Sequence, residues 1–207
     1  MYELDYGHLL NKAGKFNYCK EESVGTLIRY IARDREQEDK RDELLACGVW
    51  GCLDILGTDG IIGDFRLARL CYKRRGVFGR YVDHEIYEFS GYELMKFKEC
   101  HISCEMVARE LARNIYNEGF QVFWGIHLKD MDSLRVHVHF AVNTVNFRTG
   151  RKRHENMTAT KERQKQMQRI IERIIFQARN YWEPNPKDSQ SEFSLYDLLP
   201  GNPISKE

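Results

Sequence analysis

The hydrophobic and polar positions alternate most strictly in the run Arg135-Val136-His137-Val138-His139-Phe140-Ala141-Val142-Asn143. A period of two predicts a β-strand with Val136, Val138, Phe140 and Val142 on one face and His137, His139 and Asn143 on the other. The two imidazoles then lie about 7 Å apart along the strand. Spending two same-face positions on histidine gives up apolar burial, which marks the strand as a site and not only as core. Upstream, the apolar run Val122-Phe123-Trp124-Gly125-Ile126 ends in His127 and predicts a strand over 121–128. The polar stretch Lys129-Asp130-Met131-Asp132-Ser133 between the two predicts an antiparallel hairpin that brings His127 beside the pair.

The pattern elsewhere alternates helix and strand. After an irregular, polar stretch over 1–20, a flexible arm or a first strand, Val24, Leu27, Ile28 and Ile31 recur at helical spacing behind Glu21-Glu22-Ser23, acidic residues that suit a helix start. At 100° per residue Tyr30 falls about 60° from Leu27, on the flank of that stripe, where a ring packs against the core and its hydroxyl stays accessible. Residues 44–56 are apolar and glycine-broken, a strand with a bend. Gly57-Thr58-Asp59-Gly60 reads as a turn, and Asp64 as the cap of a helix carrying Phe65, Leu67, Ala68, Leu70 and Cys71. A strand over 81–89 follows, with His84, Ile86 and Glu88 on one face. Ser103 caps a helix with Val107, Leu111 and Ile115 on one side and Gly119 as its stop. The last helix begins near Thr158 or Thr160, shows the stripe Met167, Ile170, Ile171, Ile174, Ile175, Ala178, and closes at Trp182 and Pro184.

Strands separated by helices, with a hairpin at the histidines, predict an α+β fold: a mainly antiparallel central sheet with helices packed on it and a face open to ligand. The expected division is an arm or first strand over 1–20, one domain over 21–183 and a tail over 184–207, which holds all four prolines. At 207 residues with 42% hydrophobic and 30% charged positions, one sizeable core is affordable. The balance of 32 basic and 31 acidic residues, net +1, gives no global nucleic-acid signature. Phosphate binding falls to local clusters, Lys73-Arg74-Arg75 and Arg148 with Arg151-Lys152-Arg153. No stretch has the length of a membrane span, and the first residues lack a signal peptide's basic start and apolar core, so the expected location is the cytoplasm, without membrane insertion. Six scattered cysteines without a CxxC pair read as reduced thiols.

Three neutral imidazoles, His127, His137 and His139, form an open ligand set for one divalent ion that still accepts a substrate oxygen. Together with Asn143 and the following Val145-Asn146-Phe147-Arg148-Thr149-Gly150-Arg151-Lys152-Arg153-His154-Glu155-Asn156, they resemble the metal-site motif of MobA/VirD-type (MobP-class) relaxases, mobilisation nucleases within the HUH single-strand endonuclease superfamily. The segment Arg80 to Gly91 with His84 resembles the preceding strand of that family, and Leu27-Ile28-Arg29-Tyr30-Ile31 resembles the context of its nucleophilic tyrosine. The likeness covers roughly residues 20–180. One departure stands out: the family follows its tyrosine with a Lys-Thr turn, whereas here Asp34-Arg35-Glu36-Gln37-Glu38-Asp39 follows.

The resemblance implies a relaxase that nicks and rejoins single-stranded DNA at a transfer origin, for conjugation or mobilisation. Tyr30 is the nucleophile, with Tyr18 the next candidate among 11 tyrosines, and Mg or Mn is the cofactor at the three histidines. Asn143, Asp130, Asp132 and His84 are expected around the ligands, orienting them or helping the phenol to ionise. Expected partners are single-stranded or supercoiled origin DNA and relaxosome accessory and coupling proteins, with the chain a monomer. A rolling-circle initiator or single-tyrosine transposase shares this chemistry but places its tyrosine after the histidine pair, where the last helix carries Tyr181 near its end, next to Trp182. A non-catalytic origin-binding module would need no tyrosine, and a histidine-ligated hydrolase using activated water would leave no covalent product.

Overall fold

The computed structural model describes residues 5–12, 18–34, 42–53, 57–72, 79–129 and 135–181. Lys73, Arg74, Arg75, Asp130, Asp132, Trp182 and the expected tail lie outside the described residues, as does the side chain of Tyr181. The element order is β1 (His8–Asn11), α1 (Glu22–Ile31), β2 (Asp42–Trp50), α2 (Thr58–Cys71), β3 (Val82–Glu88), α3 (Gly91–Glu99), α4 (Cys104–Asn117), β4 (Val122–Lys129), β5 (Arg135–Asn143) and α5 (Met157–Tyr181). The strands form one five-stranded sheet in the order β1-β3-β5-β4-β2, antiparallel at every pair. The fold is α+β, as the patterning predicts, and the histidine strand β5 lies at its centre.

Alternation along β4 and β5 divides the core between the two faces of the sheet. Trp124, Ile126 and Leu128 join Val136, Val138, Phe140 and Val142 on one face, where α4 and α5 cover them with Val107, Leu111, Ile115, Met167, Ile171 and Ile174. Each such fully buried aliphatic side chain is worth about 1.5–3 kcal/mol relative to exposure. The opposite face carries Phe123, Ala141 and Val82, covered by Leu27, Ile28 and Ile31 of α1 and Ile61, Ile62 and Phe65 of α2. The histidine-bearing face is therefore roofed in part by two helices, and the histidines lie beside that roof.

Two local structures differ from the sequence pattern. Helix α2 starts at Thr58 behind Gly57, six residues earlier than the Asp64 cap. Burial of Ile61 and Ile62 outweighs the helix cost of Gly60 and Gly63, about 1 kcal/mol each. Asp64 lies mid-helix and accepts from the backbone N–H of Leu53 at 2.6 Å. Helix α3 has no counterpart in the periodicity. Its signal is a capping box: Ser90 Oγ accepts from the Glu93 N–H at 3.1 Å while the Glu93 carboxylate accepts from the Ser90 N–H at 3.0 Å.

Candidate metal and tyrosine site

In the β4–β5 register His127 faces His137 directly and Gly125 faces His139. Directly opposed residues on one face have Cβ atoms about 4.5–5.5 Å apart, so the hairpin alone clusters the rings. Ring centroids are 4.4 Å apart for His127–His139, 4.7 Å for His137–His139 and 5.7 Å for His127–His137. All three residues are buried, and their candidate ligand nitrogens lie within 4.8 Å of one another.

Hydrogen bonds decide which nitrogen each ring offers. His127 Nε2 lies 2.8 Å from the Ile31 carbonyl, a pure acceptor, so Nε2 carries the proton and donates. The lone pair of His127 is then on Nδ1. His139 Nδ1 lies 2.8 Å from His84 Nε2, and His84 Nδ1 lies 3.0 Å from the Tyr18 hydroxyl. His139 Nε2 is buried and has no hydrogen-bond partner among the described residues. A buried polar nitrogen without a partner costs about 1–3 kcal/mol, and a cation held with the other two imidazoles would satisfy it. The donor set therefore fits a divalent ion.

Burial, and then the charges on His127, His137, His84 and Arg33, holds His139 well below the ordinary imidazole range. Burial, followed by Lys12, His127 and His137, lowers His84 to about 4. Both rings are neutral at pH 7, the form that ligates metal. Burial, reinforced by Tyr30, pushes the Tyr18 phenol up to about 12.

Helix α1 brings Tyr30 to this cluster. Its buried stripe of Val24, Leu27, Ile28 and Ile31 packs on the sheet, leaving Tyr30 half-buried on the flank. The Tyr30 ring centroid is 5.6 Å from His139, 6.1 Å from His127 and 6.3 Å from His84. The close approach of α1 depends on Gly125, where an added Cβ would lie 2.6 Å from Ile31 Cγ2 and 3.1 Å from the Ile31 carbonyl oxygen. The same carbonyl receives the His127 proton, so one glycine sets helix, histidine and tyrosine together.

The helix ends in a Schellman-type turn, with Asp34 N–H on the Arg29 carbonyl at 3.0 Å and Arg33 in the left-handed region at φ 55°. Glycine is the usual occupant, and a side chain there costs about 1–2 kcal/mol. The conformation returns the Arg33 guanidinium over the Tyr30 ring, 5.1 Å from its centroid, with Nη2 3.3 Å from His127 Nδ1. Arg33 and Gly125 escaped the sequence reading. The i, i+3 spacing from Tyr30 was the signal for Arg33, whereas Gly125 had none without the packing partner.

Other expected site residues are placed differently. Asn143 Nδ2 donates to the Phe65 carbonyl at 2.9 Å and to Gln121 Oε1 at 2.7 Å, and its Oδ1 accepts from Val145 N–H at 3.2 Å. These contacts fasten α2 to the sheet and include no histidine. Arg153, expected on DNA, is buried: its guanidinium lies 3.2 Å from Glu85, 3.6 Å from Asp83 and 3.7 Å from Glu155, with Arg163 of α5 2.8 Å from Glu85. The alternation that turns His84 towards the histidines turns Asp83 and Glu85 towards α5, and Arg153 neutralises them there. Arg148 and Arg151 are exposed. Arg148 lies 5.3 Å from the Phe147 ring centroid and donates to the Asn117 carbonyl at 3.1 Å. Half-buried Lys152 donates to the Arg80 carbonyl at 2.8 Å, and burial with Arg69 and Arg80 lowers it to about 8.

The central antiparallel sheet carries on its middle strands a histidine triad that could hold a metal ion, with a helix-borne tyrosine against it. The family model Relaxase: MobA/VirD2-like, nuclease domain, matches residues 30–175, well over half of the chain. The chain belongs to that family: it is a relaxase-type nuclease domain that acts on DNA. Neither the curated proteins nor the solved structures give a match. No helix among the described residues is long and apolar enough to cross a membrane.

Proposed function

We propose that the chain nicks and rejoins one DNA strand at a transfer origin during conjugation or mobilisation, with Tyr30 as nucleophile. The observation that carries this reading is the contact of the Tyr30 ring with His139, His127 and His84 within 6.3 Å. His127 through Nδ1, His139 through Nε2 and His137 would hold Mg²⁺ or Mn²⁺. Such an ion supplies Lewis acidity, neutralising charge on the non-bridging oxygens of the scissile phosphate.

The remaining work belongs to the chain itself. Tyr30 Oη forms a bond to phosphorus as the bond from phosphorus to the 3′-oxygen breaks. The phenol loses a proton and the departing 3′-oxygen gains one, leaving a 5′-phosphotyrosyl link and a free 3′-hydroxyl. The link conserves the phosphodiester, so the reverse attack by a 3′-hydroxyl rejoins the strand. A phenol of ordinary pKa near 10 needs assistance at neutral pH, and the Arg33 guanidinium beside it favours the phenolate. Tyr18, with its hydroxyl on His84 and its pKa about 12, orients the ligand shell and does not attack. Arg148 and Arg151 follow the DNA backbone. The nuclease domain spans 21–183 and works as a monomer within a relaxosome.

The test is incubation with Mn²⁺ and single-stranded oligonucleotides tiling the DNA upstream of its own gene, scored for an SDS-resistant protein–DNA adduct. The expected result is an adduct that vanishes in Tyr30→Phe and in His137→Ala. An adduct surviving Tyr30→Phe rejects Tyr30. Strand cleavage with no adduct rejects covalent catalysis in favour of activated water.

A further inference from the structure

We propose that Arg33 is a mobile cation of this site, holding the His127 lone pair while no ion is bound and turning to the scissile phosphate when the site is loaded. The inference rests on the metal reading above. His127 has a single lone pair to offer, on Nδ1, because Nε2 donates to the Ile31 carbonyl at 2.8 Å. Arg33 Nη2 lies 3.3 Å from that Nδ1. A guanidinium has donors and no acceptor, so the contact can only be N–H to lone pair. One lone pair cannot serve an N–H and a cation together, and two positive charges at this distance repel. Loading the site therefore releases Arg33 from His127.

Its new acceptor follows from its position. The backbone of Arg33 is pinned by the helix-ending turn, with its N–H on the Tyr30 carbonyl at 3.3 Å. Its guanidinium already lies 5.1 Å from the Tyr30 ring centroid. A phosphate that Tyr30 attacks beside the histidines falls within reach of that fork, whose geometry matches two phosphate oxygens. Arg33 thus guards the ligand before loading and binds the substrate's charge after it.

The experiment measures Mn²⁺ binding calorimetrically on DNA-free protein and, separately, single-turnover adduct formation, for wild type, Arg33→Gln, Arg33→Lys and His127→Ala, with thermal melts to confirm folding. Removing a competitor and a like charge should tighten Mn²⁺ binding of Arg33→Gln by roughly 3- to 10-fold. Losing a donor to the phosphate should slow its adduct formation by about 100-fold, with Arg33→Lys recovering part of the rate. A structural role would weaken both, so opposite signs are diagnostic. Arg33→Gln binding Mn²⁺ no more tightly than wild type overturns the proposal. His127→Ala separates the two readings: if it binds Mn²⁺ like wild type, the metal assignment fails and Arg33 with it. If it loses Mn²⁺ while Arg33→Gln is unchanged, only the Arg33 proposal fails.

Discussion

Tyr30 and His139 meet edge to face, their ring centroids 5.6 Å apart and their planes at 89°. The phenol therefore lies against the imidazole whose Nε2 has no hydrogen-bond partner among the described residues. Tyr18 reaches the same imidazole through His84. The two tyrosines should separate cleanly. Tyr30→Phe is expected to abolish the adduct with Mn²⁺ binding intact. Tyr18→Phe is expected to keep the adduct but weaken Mn²⁺ binding by about 10- to 100-fold, the usual cost of losing an outer-shell partner. Calorimetry and an SDS gel on both variants decide it, and adduct loss in Tyr18→Phe alone would reverse the roles.

The buried imidazoles make the metal-free fold acid-sensitive. His84 titrates at about 4 in the fold, against about 6.5 in the unfolded chain. As pH falls from about 6.5 to about 4 the unfolded chain binds a proton that the fold refuses, so stability present above 6.5 is lost across that window. The loss for His84 is on the order of 3 kcal/mol. Asp83, Glu93, Glu118 and Glu155 are shifted upward, chiefly by desolvation of their carboxylates, and act in the opposite direction. The measurement is therefore a difference: urea unfolding in chelator at pH 7 and 4.5, wild type against His84→Asn. The variant should lose less stability on acidification, and equal losses would refute the assignment.

Arginines of one sequence cluster should behave in two ways. Arg153→Met leaves Asp83 and Glu85 short of their buried partner and is expected to cost about 3–5 kcal/mol in urea unfolding. Arg148→Ala and Arg151→Ala, at exposed positions, should alter stability by no more than about 0.5 kcal/mol. Each should instead weaken single-strand binding and reduce the salt slope of log K by about 1. A salt titration of oligonucleotide affinity checks this, and an unchanged slope would remove both residues from the DNA track.

Gly125→Ala tests how α1 reaches the sheet. Its Cβ would meet Ile31 Cγ2 at 2.6 Å and the Ile31 carbonyl oxygen at 3.1 Å, so the helix must retreat. The expected cost is about 1–3 kcal/mol, with slower adduct formation because Tyr30 and the His127 acceptor move together. Thermal melts paired with single-turnover rates are the readout. A variant with wild-type stability and rate would show that α1 does not depend on this close approach.

Sequence alone determined the strand of paired histidines, the hairpin that adds His127, the flank position of Tyr30 and the α+β class. Each follows from a local period, two for strands and 3.6 for helices, and a period is written in consecutive residues. Tertiary structure decided the rest. Arg153 reads as one more base in a charged loop until β3 turns Asp83 and Glu85 inward to meet it. Asn143 shares the histidine face, yet its amide goes to Phe65 and Gln121 because α2 packs there. Tyr18, His84 and His139 form a chain across segments 66 and 55 residues apart. Arg33 touches His127 across 94 residues. Such partners are chosen by packing between distant elements, and no local period records which side chains that packing brings together.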